Sequence, residues 1–560
     1  MKTAFVCVYP LVGTFAVYLF LAQHSLAHQA GPNNTAGVMT ATSDNMTQSY
    51  PGSYFTHPDH VGLIHAHIIL MFLCWALVLP VAVHLRLTLL LLAVMLSLAG
   101  SRLTLVSQYW FLGLNALGLV FGTVYNAKTP DLYPSNAHGK VGWFISWIAA
   151  AQVLLSLMGW AGGIVRNRSP SPSSESLISD HRCLDRGMTV VNGRFSCDSN
   201  WDANPGRKAP TQPSAPALAD TDYETIPTRC SDEAIEHAVI SESSSAPSTL
   251  TRDRVVFVRV YRLFTFVYRV IDRILLPSGF IALTTGVATF GRLFEGSAIF
   301  SGLAHWIKGG VFFWLGLFTL GRWAGCFGEL GWAWNAPPRA YKRTWRPTAE
   351  WTESALIFFY GSTNIFLEHL GRWGRAWSAQ DLEHIAITIL FIGGGLIRSL
   401  LHTTVLRAVL EDTQPVGDSE RQRLAPSNYN FSLNPMPALV ILLLGIIMSS
   451  HQQSMGIAME VHRQWGLLLS GASFARCLTY ILIFLRPPRS ALPSRPPTEL
   501  LTAFGLVAGG IVFMASSSDT IDVLIHYNLD AMFVFTIAMG LAGLLMAWVL
   551  IVLAVKGWSS

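Results

Sequence analysis

Apolar residues in this chain come in blocks of about 20, the length of helix that crosses a hydrocarbon core, separated by polar segments of very different length. The first block, "AFVCVYPLVGTFAVYLFLA", follows Lys2 and ends in "HSLAHQA", where Ser25 and Ala27 are the small residues a signal peptidase prefers. Residues 1–27 read as a signal peptide, followed by a polar N-terminal segment over 28–60. Three crossings come next: "GLIHAHIILMFLCWALVLPVAVHL", a run near 103–125, and "KVGWFISWIAAAQVLLSLMGWAGGIV". They define a three-helix membrane module over 61–165. Between the first two lies "LTLLLLAVMLSLAG", too short to cross unaided and flanked by Arg86 and Arg102, so it is a helix extension or an interfacial piece. Residues 166–252 are rich in Ser, Pro, Thr and Asp and have no periodicity, the composition of a disordered linker. In "RVVFVRVYRLFTFVYRVIDR", Arg259, Arg262, Arg269 and Arg273 recur at helical spacing opposite Val, Phe and Tyr. This predicts a juxtamembrane amphipathic helix over 253–273, on an anionic leaflet or extending the next span into the cytosol. Eight further spans fall near 274–292, 300–322, 351–370, 383–406, 436–450, 464–485, 498–517 and 529–554, an eight-helix module over 274–558.

Composition agrees with this pattern. Hydrophobic residues make up 51 % of the chain and charged residues 13 %, with a mean hydropathy of +0.41, which excludes a string of soluble domains. The predicted fold class is all-α, a polytopic helical membrane protein with about 11 crossings. Asn33 in "NNT" and Asn45 in "NMT" are glycosylation acceptors that place the mature N-terminus in the lumen or outside the cell. Counting crossings from there puts the loops 166–273, 323–350, 407–435 and 486–497 and the C-terminal tail in the cytosol, where the basic residues concentrate as the positive-inside rule requires. The net charge of +5 resides in those loops, so no nucleic-acid partner is implied. No structural disulfide is expected, and the expected location is the secretory pathway: endoplasmic reticulum, vacuole or plasma membrane.

With this topology the histidines gather near the outer ends of the spans, and ionisable groups at membrane depth are by default candidates for function. In the first module, His65 or His67 pairs across the bundle with His138 in "NAHGKVGW", an arrangement for bis-histidine haem ligation. The two early histidines lie about 200° apart on a helix, so only one can face the site. In the second module, "SSHQQSMGIAMEVHRQWG" puts Met455, Met459 and His462 within about 80° of His451 on one continuous helix, a stripe able to ligate copper(I) or haem iron. A packing face gives the same stripe. "FLEHLGRW" and "QDLEHIAI" place Glu368–His369 and Glu383–His384 at facing span ends, where each carboxylate can orient the other helix's imidazole. Lys308 one turn beyond His305 in "GLAHWIKGG" favours the neutral, ligand-competent imidazole.

The segments "HAHIILMFLCWALVLP", "GTVYNAKTPDLYPSNAHGKVGW", "FSGLAHWIKGGVFFWLGLFTLGRWAGCFGELGWAWN", "FFYGSTNIFLEHLGRWG", "LDAMFVFTIAMG" and "VLAVKGW" resemble the fungal Ytp family of transmembrane proteins over roughly 61–165 and 274–558. The resemblance implies a multi-pass protein of two membrane modules and carries no established reaction. Through "HAH" and "NAHGKVGW" the first module is also similar to a reduced relative of the ascorbate-reducible transmembrane cytochromes b. Inner-end histidines for a second haem are missing.

The leading expectation is binding of haem b or a transition metal at the outer leaflet, through His65, His67, His138, His305, His369, His384, His451, Met455, Met459 and His462. The role would be in redox or metal handling, with membrane lipid and an electron-transfer or metal-handling protein as partners. A small-ion transporter with Asp519, Asp522 and Asp530 in its vestibule, and a scaffold acting through the Ser-rich linker, are the alternatives.

Overall fold

The computed structural model describes residues 52–79, 102–168, 249–296, 298–336, 348–368, 376–401, 434–450 and 455–559. The signal segment, Asn33, Asn45, residues 87–100, most of the linker, His369 and His451 lie outside the described residues.

The described residues form twelve helices and no strand. They are α1 (Val61–Phe72, continued by a π-helical stretch Leu73–Val78), α2 (Arg102–Lys128), α3 (His138–Arg168) and α4 (Thr249–Phe290). Then follow α5 (Ala298–Ala324), α6 (Ala349–Glu368), α7 (Ala379–Leu401), α8 (Met436–Ser450), α9 (Gly456–Leu485), α10 (Pro497–Ala515), α11 (Ser518–His526) and α12 (Ala531–Ser559). Each interval in which the sequence predicts a span holds a helix. Seven are long and apolar enough to cross a membrane by themselves: α1 with its π-helical end, most of α2, the second part of α4, and α5, α9, α10 and α12.

Two boundaries differ from the expectation. The amphipathic segment over 253–273 and the span after it are one continuous 42-residue helix, α4, which runs through Pro277. After α10, a separate short helix, α11, begins at Ser518, where the chain turns before α12.

The chain divides into two compact units, residues 1–155 with 267–560 and residues 156–266. Both predicted membrane modules therefore belong largely to one unit. What is described of the second unit is helical, residues 156–168 of α3 and 249–266 of α4. Within the first unit, the apolar core of α1 to α4, built on Cys74, Phe111, Ile145 and Ile281, also takes in Ile307 of α5. The larger core, around Leu444, Trp465, Leu469 and Phe513, joins α5 to α12.

The most buried helix is α10, whose Ala503, Gly505, Ala508, Gly509 and Gly510 let neighbouring backbones approach closely, the usual way helices associate where burial from water gives no drive. A Cβ added at Gly309 of α5 would lie 2.6 Å from the Gly510 carbonyl oxygen, and one added at Gly510 would lie 2.6 Å from that of Gly309. Gly445 of α8 and Gly466 of α9 make the same reciprocal approach. On the outside, large apolar side chains such as Phe144, Trp147, Phe474, Leu485 and Leu544 are exposed, as a lipid-facing surface requires.

Loop hydrogen bonds tie the two predicted modules together. Phe55 N donates to Phe290 O at 3.0 Å, and Arg292 Nη1 donates to Gly52 O at 3.1 Å. The Tyr133 hydroxyl is 2.8 Å from Leu293 O and 2.9 Å from Phe294 O, and Phe294 N donates to Asp519 Oδ2 at 2.6 Å. Burial, reinforced by Glu295 and Asp519, pushes the Tyr133 phenol up to about 12.

Two tests follow from this packing. Gly309→Leu is expected to lower the stability of the detergent-solubilised protein by about 1–3 kcal/mol or more through overpacking, whereas Gly142→Ala, with open space around it, should be silent; thermal unfolding compares them. The phenol's folded value lies above its ordinary value near 10, so the Tyr133 contribution is complete below that pH and lost as pH rises through about 12. Tyr133→Phe should be less stable at neutral pH and lose less of its unfolding midpoint across that alkaline window.

Candidate functional site

Two pairs of imidazoles come together, one in each predicted module. His67 of α1 and His138 at the start of α3 have ring centroids 6.1 Å apart and planes at 80°. His305 of α5 and His462 of α9 have centroids 5.9 Å apart and planes at 85°. Their hydrogen bonds determine the tautomers. A carbonyl oxygen only accepts, so the contacts of His67 Nδ1 with Gly118 O, His305 Nδ1 with Ser301 O and His462 Nδ1 with Ala458 O, each 2.8 Å, put a proton on Nδ1. His138 Nδ1 lies 3.3 Å from Thr285 Oγ1, a hydroxyl that can donate or accept. In their neutral forms His67, His305 and His462 carry the lone pair on Nε2, the arrangement in which a backbone oxygen orients a metal-binding histidine. With metal–nitrogen bonds of about 2.0–2.1 Å, two imidazoles on one ion have centroids roughly 5–6 Å apart.

The surroundings of the second pair are rigid. The Trp465 and Phe513 rings stack at 4.0 Å, and each also meets one imidazole, Trp465 with His462 and Phe513 with His305. His462 is buried. Beside the first pair, the Trp75 indole donates to Asn115 Oδ1 and Asn115 Nδ2 donates to Ser146 Oγ, joining α1, α2 and α3.

Of the other predicted residues, His369 and His451 lie outside the described residues. His65 is exposed, on the opposite side of α1 from His67, and His384 is half-buried near the start of α7. The predicted single face for Met455, Met459 and His462 is not formed. Helix α9 begins only at Gly456, so Met455 stands outside it in extended conformation, and Met459 points outward while His462 points in. Among the described residues no three of His, Cys, Asp and Glu gather as a metal cluster.

Sequence reasoning missed the largest polar feature, an ion network buried at the opposite end of α5 and α9 from the imidazoles. Arg322 of α5 donates from Nη1 to Glu353 Oε1 at 2.9 Å, from Nη2 to Glu350 Oε1 at 3.0 Å and from Nε to Trp332 O at 2.8 Å. Arg476 of α9 donates from Nη1 to both oxygens of Glu353, at 3.1 and 3.3 Å, and from Nη2 to Thr319 Oγ1 at 2.9 Å. Its Nε lies 2.9 Å from Glu499 Oε1 on α10. The Trp334 ring covers Arg322 with the guanidinium carbon 4.4 Å from its centroid, a cation–π contact. Trp334 belongs to a loop held against residues 490–494, through Asn335 Nδ2 donating to Ala491 O and Ser494 Oγ donating to Trp334 O. The sequence signal was there: Arg476 interrupts "LLLSGASFARCLTYILIFL" and Glu353 precedes "SALIFFY", intramembrane charges that call for partners. No spacing rule names those partners, because they come from four helices.

These helices and their buried polar pairs define a multi-pass helical membrane protein. A family described as "Protein YTP1-like, C-terminal" matches residues 278–557, and a domain of unknown function (DUF2427) matches residues 48–160. The chain belongs to the YTP1-like family. It is 29 % identical over 546 residues to the uncharacterized membrane protein C3B8.06 of Schizosaccharomyces pombe, covering 93 % of this chain and 99 % of that one. It is 42 % identical over 293 residues to the uncharacterized membrane protein YCR061W of Saccharomyces cerevisiae, covering 50 % of this chain and 46 % of the relative. Protein YTP1 of the same yeast is 25 % identical over 182 residues, 32 % of this chain and 33 % of that one. No solved structure matches the chain.

Removing one partner of a buried ion pair leaves its charge uncompensated. Glu353→Gln takes a carboxylate from both guanidiniums and is expected to cost about 3–5 kcal/mol; unfolding of the detergent-solubilised variant beside wild type measures it.

Proposed function

We propose that this YTP1-like membrane protein holds a transition-metal ion between His305 and His462, copper(I) by preference, and acts in metal handling. The observation that carries this reading is the pair itself: two imidazoles from different helices, 5.9 Å apart, each with Nδ1 tied to a backbone carbonyl so that Nε2 is the ligating atom. Two imidazole donors supply the nitrogen ligands that copper accepts. The exposed thioether of Met459, one turn before His462, offers a soft donor near the same end of α9. The charge bias of the loops supports a lumenal or outer position for this end.

Haem b, the group that the cytochrome resemblance implies, needs two Nε2 atoms facing each other across a planar macrocycle. His67 and His138, with ring centroids 6.1 Å apart and planes at 80°, are the residues that would hold it, and α4 passes close to the His138 ring, where a Cβ at Gly286 would lie 3.1 Å from Cε1.

Metal analysis of the full-length protein purified in mild detergent, with visible spectra before and after dithionite, tests the reading. About one copper per chain is expected at the His305–His462 pair, lost in His305→Ala and His462→Ala at unchanged helicity. Absence of stoichiometric metal overturns it, and a Soret band transfers the chemistry to His67 and His138.

A further inference from the structure

Glu499 is fully buried on α10, in a network whose described members are the carboxyl groups of Glu350, Glu353 and Glu499 and the guanidiniums of Arg322 and Arg476. An uncompensated charge in an apolar bundle is among the most costly arrangements a protein can contain. The three carboxyl groups are not equivalent. Glu353 accepts from both guanidiniums and Glu350 accepts from Arg322. Arg476 Nε approaches Glu499 Oε1, but its N–H does not point along that line, and among the described residues neither oxygen of Glu499 receives a directed hydrogen bond. Of the three carboxyl groups, Glu499 therefore has the least support for a charge.

A second feature points to the same place. A cavity of about 90 Å³ adjoins the network, with apolar walls from six helices and with Glu353, Arg476, Ser473, Thr502 and Lys308 in its lining. Ser473 is 3 % exposed, and its hydroxyl has no hydrogen-bond partner among the described residues. Because a water needs roughly 10–15 Å³ of such space and two to four polar partners, the cavity is large enough to admit several, with Ser473 and the ion pair to hold them. Among the described residues, the charged and titratable groups on the packed helices are Lys308 and Arg322 on α5, Glu350 and Glu353 on α6, Arg476 and Tyr480 on α9, and Glu499 on α10.

We propose that the network is a proton-binding site: it takes up one proton, carried as the neutral carboxylic acid of Glu499 and exchanged with water through the cavity at Glu353 and Arg476. Uptake converts the Glu499 carboxylate to the acid and release returns the proton to water, with no other bond made or broken. The bundle thereby holds a protonatable site at the end of α5 and α9 remote from His305 and His462, and its existence does not depend on any metal there.

Infrared spectroscopy of the full-length protein in detergent at neutral pH reads the acid directly. A carbonyl stretch in the carboxylic-acid region is expected, moving to lower frequency in heavy water and disappearing in Glu499→Gln. The glutamine is a neutral isostere of the proposed state, so this variant should also keep the wild-type unfolding midpoint, in contrast to Glu353→Gln. Three results overturn the proposal: no such band in the wild type, a band that persists in Glu499→Gln, or a Glu499→Gln protein that unfolds as readily as Glu353→Gln. An unfolding midpoint that climbs with sodium at fixed pH, without the band, would assign the compensating charge to a metal cation. Because no metal enters the measurement, its failure is separate from any failure of copper binding.

Discussion

Charge inside an apolar bundle must be matched where it stands, and in this protein Glu353 does the matching for two arginines at once. Arg322 and Arg476 come from α5 and α9, Glu353 from α6, and Glu499 closes the set from α10. Guanidinium forks accept little change in the direction of their partners, so these helices cannot slide or rotate independently without separating buried charges. The loop carrying Trp332 and Trp334 is held by the same groups, one accepting from Arg322 through its carbonyl and the other covering the guanidinium with its ring. A loop between two spans becomes a lid on the network for that reason.

Away from the network the helices are held by closeness of approach. Glycines at 309, 445, 466 and 510 remove the side chains that would keep backbones apart, and α10 sits between its neighbours as a result. Hydrocarbon tails are as apolar as leucine, so a bundle in lipid gains from dispersion and polar pairing what a soluble core gains from leaving water. Large exposed residues such as Leu485 and Leu544 then complete the outer surface.

The His305–His462 pair and the network lie at opposite ends of the same two helices. From His305 to Arg322 and from His462 to Arg476 the rise is about 21–26 Å, most of a hydrocarbon core. Each end is assembled from side chains far apart in sequence, and each is oriented by backbone oxygens: Ser301 and Ala458 for the imidazoles, Trp332 for Arg322. The imidazole pair and the ion network are thus separate features on a shared frame.

The amino-acid order alone determined that the chain is helical, lies in a membrane and has spans at the intervals where helices are found, because a run of about 20 apolar residues has few other stable destinations. It also brought His67, His138, His305 and His462 forward, since imidazoles near the ends of apolar spans stand out from their surroundings. Tertiary structure decided which of them meet. Whether His65 or His67 faced inward depended on the rotation of α1, and the Met455 stripe dissolved because α9 starts at Gly456, one residue too late to carry it. The ion network was hidden for a related reason: Arg476 announces itself in sequence, but its partners depend on which four helices pack together. Apolar length is a property of one segment and can be read from it, whereas a pairing of charges or imidazoles belongs to the packing of several and exists only once they have met.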